Sequence, residues 1–246
     1  MIVDAKVLSG NHDDKTYNNE TLDDVEAVLE RLSVSKDDFY YIADSALFTE
    51  KNIVKAQDKG IQFITRAPGT VNITNELKHK AWENTDAFMP VTIKNAHNED
   101  VEYSIQESTG SYKGVECKFT VWYSKSLEYQ KHKTMVRNII KEQEHLSKLN
   151  KGYAKRPFVC EEDAKKEIVL LDERFIKEIR YHSVGYTILC TEEKKPGRPK
   201  ENKPDSEKTY VYTIDITTTS DQRRQETCLQ MESTFVLVSN DLVKVC

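Results

Sequence analysis

The stretch that decides the fold holds three pieces: Phe39-Tyr40-Tyr41-Ile42-Ala43-Asp44, then Thr49-Glu50-Lys51-Asn52-Ile53-Val54-Lys55-Ala56, then Gly60-Ile61-Gln62-Phe63-Ile64-Thr65-Arg66. The first is an aromatic and β-branched run, long enough for a strand and too short for a helix, and it stops at Asp44. Thr49 is placed to cap a helical pattern carried by Ile53, Val54 and Ala56, and Gly60 is the residue type that ends helices in the left-handed conformation. Ile61 to Thr65 then reads as a second strand. Strand, helix and strand in that order form a crossover between parallel strands. In open α/β sheets ligands collect at the carboxyl ends of such strands, so Asp44 and Arg66 fall where chemistry is expected.

Upstream, residues 19–32 read as an amphipathic helix, with Leu22, Val25, Val28, Leu29 and Leu32 on one stripe and Thr21 and Asp24 in capping-box spacing. Downstream of Pro68-Gly69 the pattern changes to strands at 91–94, 101–106 and 117–123, a basic helix at 127–150, a second helix at about 161–180, and strands at 184–190, 209–216 and 234–238. The run from Lys194 to Pro204 contains Pro196, Gly197, Pro199 and Pro204 and reads as an exposed loop.

The chain has 246 residues, enough for one or two domains with a real core. No apolar run is long enough for a membrane helix, and the acid at Asp4 does not fit a signal peptide, so a cytoplasmic protein with no membrane partner is expected. The 5 cysteines are odd in number, widely spaced and never in C-x-x-C, which fits reduced thiols. The 6 histidines show no ligand spacing, so any metal would sit on carboxylates. A net charge of -5 speaks against a general nucleic-acid binder, but the charge is polarised: residues 1–50 hold 12 acids and 4 bases, whereas residues 111–156 hold 11 bases and 4 acids.

Three features could carry chemistry. Asp44, ending a strand, could be half of a Mg²⁺ site, or it could cap the turn before Ser45. Gly197-Arg198-Pro199, with lysines around it, could lie in the minor groove of A·T-rich DNA, Arg198 entering the groove while Lys195 and Lys200 meet phosphates; its other reading is a solvated loop. The basic helix, with Lys131, Lys133, Arg137, Lys141 and Lys148, could track phosphates or be an ordinary solvated face. Trp82 and Trp122 are assigned to packing.

Beyond these patterns, several strings resemble the DDE-type transposases of insertion sequences. They are Ser9-Gly10-Asn11-His12-Asp13-Asp14-Lys15, Tyr41-Ile42-Ala43-Asp44-Ser45-Ala46-Leu47 with Thr49-Glu50-Lys51-Asn52, Phe63-Ile64-Thr65-Arg66-Ala67-Pro68, Phe158-Val159-Cys160-Glu161-Glu162-Asp163-Ala164, Gly197-Arg198-Pro199, and Phe235-Val236-Leu237-Val238-Ser239-Asn240. The resemblance implies an α/β fold: a partial ribonuclease H-like core at 1–68, a large α+β, strand-rich insertion domain at 69–230, and a return strand at 231–246. It implies Mg²⁺ as cofactor, Asp44 as the second of three catalytic carboxylates, and double-stranded DNA at transposon ends as partner, with no small-molecule substrate. A homodimer on paired ends is a further expectation, and Arg66, Lys131, Lys133, Arg137, Lys195, Arg198 and Lys200 are the candidate DNA contacts. The strand bearing the family's first Asp and the helix bearing its Glu have no counterpart in these strings. The chain therefore reads as an internal fragment that cuts no DNA by itself, with a sheet edge and an apolar face left open. The alternative is a non-catalytic DNA-binding or regulatory module derived from a transposase.

Overall fold

The computed structural model describes residues 13–193 and 209–243, and the chain divides into two compact units, Met1–Tyr129 with Gln230–Cys246, and Gln130–Leu229. The second unit is thus inserted in the sequence of the first. The architecture is mixed α/β.

Unit one is built on a six-stranded sheet in the order β1-β2-β8-β5-β4-β3, from β1 (Tyr40–Ala43), β2 (Gln62–Ala67), β3 (Met89–Lys94), β4 (Asp100–Tyr112), β5 (Val115–Tyr123) and β8 (Thr234–Ser239). The predicted crossover is present: β1 and β2 are parallel, with Tyr40 opposite Gln62 and Ala43 opposite Thr65, and helix α2 (Glu50–Asp58) lies between them in sequence. Thr49 caps α2 by accepting from the Asn52 N–H at 3.3 Å, and Gly60 follows its end at φ +64°, a conformation that a side chain disfavours. The remaining pairs are antiparallel. The β4–β5 hairpin turns on Lys113 and Gly114, at φ 54° and 84°, the positive pair that matches a two-residue loop to strand twist.

Helices α1 (Asp14–Leu32), α2 and α3 (Asn72–Glu83) cover one face of this sheet. Leu22, Val25 and Leu29 of α1, Ile53 and Ala56 of α2 and Ala81 of α3 join Phe63, Phe119, Val121, Val236 and Val238 in one buried cluster. Of the predicted stripe of α1, Leu22, Val25 and Leu29 are therefore its core face while Leu32 is exposed, and the helix begins earlier than expected. Asp13, not Thr21, is the cap, accepting from the Thr16 N–H at 3.2 Å, while the Thr21 hydroxyl donates to the Tyr17 carbonyl inside the helix. Helix α3 was not predicted, because Thr74, Asn75 and Lys78 interrupt its apolar spacing; Lys78 is only 8% exposed and donates to the Met231 carbonyl.

The alternate residues of the same strands form the other face. Cross-strand register puts Ile42, Ile64 and Ser239 in one row and Arg66, Leu237 and Thr120 in the next, and Ile42, on the edge strand β1, is 73% exposed. Strands β3 to β5 lie in this sheet and belong to unit one, so the boundary falls at 129/130 rather than at 68/69.

Unit two pairs a two-stranded antiparallel sheet, β6 (His182–Glu192) with β7 (Tyr210–Ser220), against the long helix α4 (Lys125–Tyr153) and α5 (Glu161–Glu178); α6 (Gln222–Glu232) leads back to β8. Its core is Leu146, Phe158, Ala164, Leu171, Phe175, Ile179, Ile214 and Ile216.

Candidate functional site

The parallel pair places Asp44 and Arg66 as the next residues after the Ala43–Thr65 match, side by side at the carboxyl ends of β1 and β2. Asp44 is exposed. Its carboxylate caps the 3₁₀ turn Ser45–Leu47 by accepting from the Ala46 N–H at 2.9 Å, the turn-forming role open to it in the sequence. Its carbonyl accepts from the Thr65 hydroxyl at 2.6 Å, which ties the turn to β2. Arg66 is exposed too, and its guanidinium lies 5.3 Å from the Phe235 ring centroid. Among the described residues no hydrogen bond or ion pair joins Asp44 to Arg66. The two share a strand end without forming one polar centre.

The side chains that hold this corner were not foreseen. Asn52, 1% exposed, accepts from the Asn19 amide at 2.9 Å and donates to the Lys15 carbonyl at 3.0 Å, with a longer 3.5 Å contact to the Ala46 carbonyl. One buried amide thus ties α1, α2 and the Asp44 turn together. The Tyr41 hydroxyl donates to Asn18 at 2.8 Å, and burial raises its pKa. Lys55 donates to the Asn19 carbonyl at 2.7 Å and pairs with Asp23 at 2.6 Å. Hydrogen bonds from Lys55 and Lys59 lower the Asp23 pKa, and one from Lys36 lowers that of Glu26. A signal did exist: Asn52 falls one residue before Ile53, within the buried side of α2, and an uncharged amide there must find partners.

Mg²⁺ needs oxygen ligands, in practice carboxylates supported by substrate phosphate. The described residues contain no group of three or more His, Cys, Asp or Glu side chains able to hold a metal ion. Asp44 offers one carboxylate, already engaged with a backbone N–H, so these residues by themselves do not fit a two-ion site.

The other expected contacts fall in different places. Lys195, Arg198 and Lys200 lie outside the described residues. Lys131, Lys133 and Arg137 are all on α4, but at about 100° per residue Lys131 is turned roughly 120° from Arg137, whereas Lys133 is within about 40° of it. Trp82 is a packing residue, its Nε1–H donating to the Thr234 hydroxyl at 3.0 Å. Trp122 is another, 4% exposed and parallel to Phe235 at 6.1 Å. Cys117, Cys160, Cys190 and Cys228 are free thiols, and burial pushes the Cys117 pKa up to about 11, which keeps it protonated and inert. No described helix is long and apolar enough to cross a membrane.

No protein-family profile, curated protein or solved structure matches the chain.

Proposed function

We propose that this chain is a fragment of a DDE-type transposase, one of the enzymes of Mg²⁺-dependent DNA strand cleavage and transfer, with Asp44 as one of the catalytic carboxylates and no cleavage by this chain on its own. The observation that supports it best is the parallel strand–helix–strand unit with Asp44 at the carboxyl end of β1 and Arg66 beside it on β2. Insertion of a whole compact unit between β5 and β8 agrees with the ribonuclease H-like plan of an interrupted core.

A second reading, a DNA-binding or regulatory module without cleavage, is favoured by the use of the Asp44 carboxylate as a cap, with no group of three or more His, Cys, Asp or Glu side chains able to hold a metal ion among the described residues. Both readings share the partner, double-stranded DNA at transposon ends.

The test begins with the DNA that flanks the reading frame. Terminal inverted repeats should be present there, and the purified chain should bind them in EDTA in preference to unrelated duplex. Absence of repeats, or binding without preference, removes both readings. Mg²⁺ is then added. No nicking is expected of the chain on its own, and nicking that Asp44→Asn abolishes overturns both that expectation and the module.

A further inference from the structure

The cations of α4 are not spread evenly around it. At about 100° per residue, Arg137, Lys141, Lys148 and Lys151 fall within a sector of about 80°. The opposite side of the helix carries Leu146, fully buried, and Asn150, whose side-chain oxygen accepts from the Ile216 N–H at 2.8 Å. The packing of unit two therefore turns this sector outward, and all four cations are exposed. None of the four makes a side-chain hydrogen bond or ion pair among the described residues.

Helix α5 in the same unit is built differently. There Lys165 pairs with Glu161 at 2.8 Å and Glu162 at 3.1 Å, Lys166 with Asp163 at 3.8 Å, and Arg174 with Glu178 at 2.8 Å. Like charges at helical spacing cost a few tenths of a kcal/mol per pair, about what opposite charges return. Helix α5 takes that return. The outward sector of α4 forgoes it, with Glu144 as its one carboxylate.

We propose that this face of α4 tracks the phosphate backbone of duplex DNA, an inference that rests on the DNA reading above and says where on the chain the duplex lies. From Arg137 to Lys151 the helix rises about 21 Å, over which a duplex presents on the order of a dozen phosphates. A linear row of unanswered cations fits such a row of charges. The segment from Gln130 to Gly152 contains no aromatic residue, and its exposed aliphatics are Val136 and Ile140. A membrane-surface helix would carry Trp, Phe or Leu on its outer face, and a protein-binding hot spot would be centred on Trp or Tyr. Phosphate is the partner that needs neither.

Affinity of the full chain for a short fluorescent duplex is measured between about 50 and 200 mM salt. Each phosphate contact adds about 0.9 to the slope of log affinity against log salt, so changing Arg137, Lys141, Lys148 and Lys151 together to Ala should flatten it by about 3 to 4. Over that range the four contacts account for about a hundredfold of affinity. Glu144→Lys should steepen the slope by about 1 and tighten binding, a gain that an unfolded variant cannot imitate. Lys165→Ala with Lys166→Ala should leave the slope as it was. Duplex binding whose slope is the same in the fourfold variant overturns the assignment of this face and leaves the DNA reading standing. No duplex binding at the lowest salt overturns both, and binding of the chain to anionic lipid vesicles with none to duplex does the same.

Discussion

The two units solve the problem of a stable core in different ways. Unit one has six strands and three helices on one face, and its interior is an apolar cluster running from Leu22 to Val238. Unit two has two strands, too few to be stable on their own, and an apolar cluster of eight buried residues. Polar anchoring makes up part of the difference. Glu142 of α4 accepts from the backbone N–H groups of Arg180 and Tyr181, both at 2.9 Å, and lies 2.8 Å from His182 Nδ1, with its side chain 9% exposed and that of His182 4%. The start of β6 is thus fastened by one buried side chain, where the strands of unit one are fastened by area. A large sheet tolerates the loss of any one polar contact, whereas a two-stranded sheet depends on its few.

The comparison can be pressed at its strongest point first. Phe119 is 1% exposed at the centre of unit one, and Phe119→Ala should cost about 3 to 5 kcal/mol and lower the thermal midpoint of that unit, read by calorimetry. Glu142→Ala should cost about 3 kcal/mol by leaving two N–H groups without their acceptor and an imidazole without its partner, and hydrogen exchange should rise in β6 and β7 while β2, β5 and β8 stay protected. Equal loss of protection in both units would break the comparison. The smallest effect is expected at the surface of unit one. Asp23 and Glu26 have folded pKa values below their ordinary 3.8 and 4.5, so what they add is present above those values and is lost as pH falls through the lower, folded ones. Exchange at the α1–α2 contact should therefore increase below about pH 4.5, and Lys36→Met should reduce the acid sensitivity. An exposed contact of this kind shifts exchange slightly and should leave the thermal midpoint close to its neutral value.

Much of the order of elements was legible because local chemistry fixes it. The run ending at Asp44, the cap at Thr49 and the stop at Gly60 act within a few residues, and each is found where the spacing puts it. Strands β4 and β5 were read too short, at 101–106 and 117–123, because Thr109, Gly110, Ser111 and Tyr112 are polar or turn-prone by themselves; the hairpin at Lys113-Gly114 pairs them all the same. Helices α3 and α6 were missed for the same reason, since neither has a clean apolar stripe, and tertiary contacts such as Trp82 with Thr234 hold α3 in place.

At the candidate site, sequence alone determined that Asp44 and Arg66 end adjacent parallel strands, because a strand–helix–strand unit has only one common way to close. It also determined that α4 is basic. Only the tertiary structure decided that Arg66 rests over Phe235 and that Asn52 joins three elements, since each depends on a partner brought in from elsewhere in the chain. The same holds for the basic helix. Its charge is written in the sequence, but which cations face outward and remain unanswered was decided by the side that Leu146 and Asn150 bury, because packing sets the rotation of a helix and composition does not.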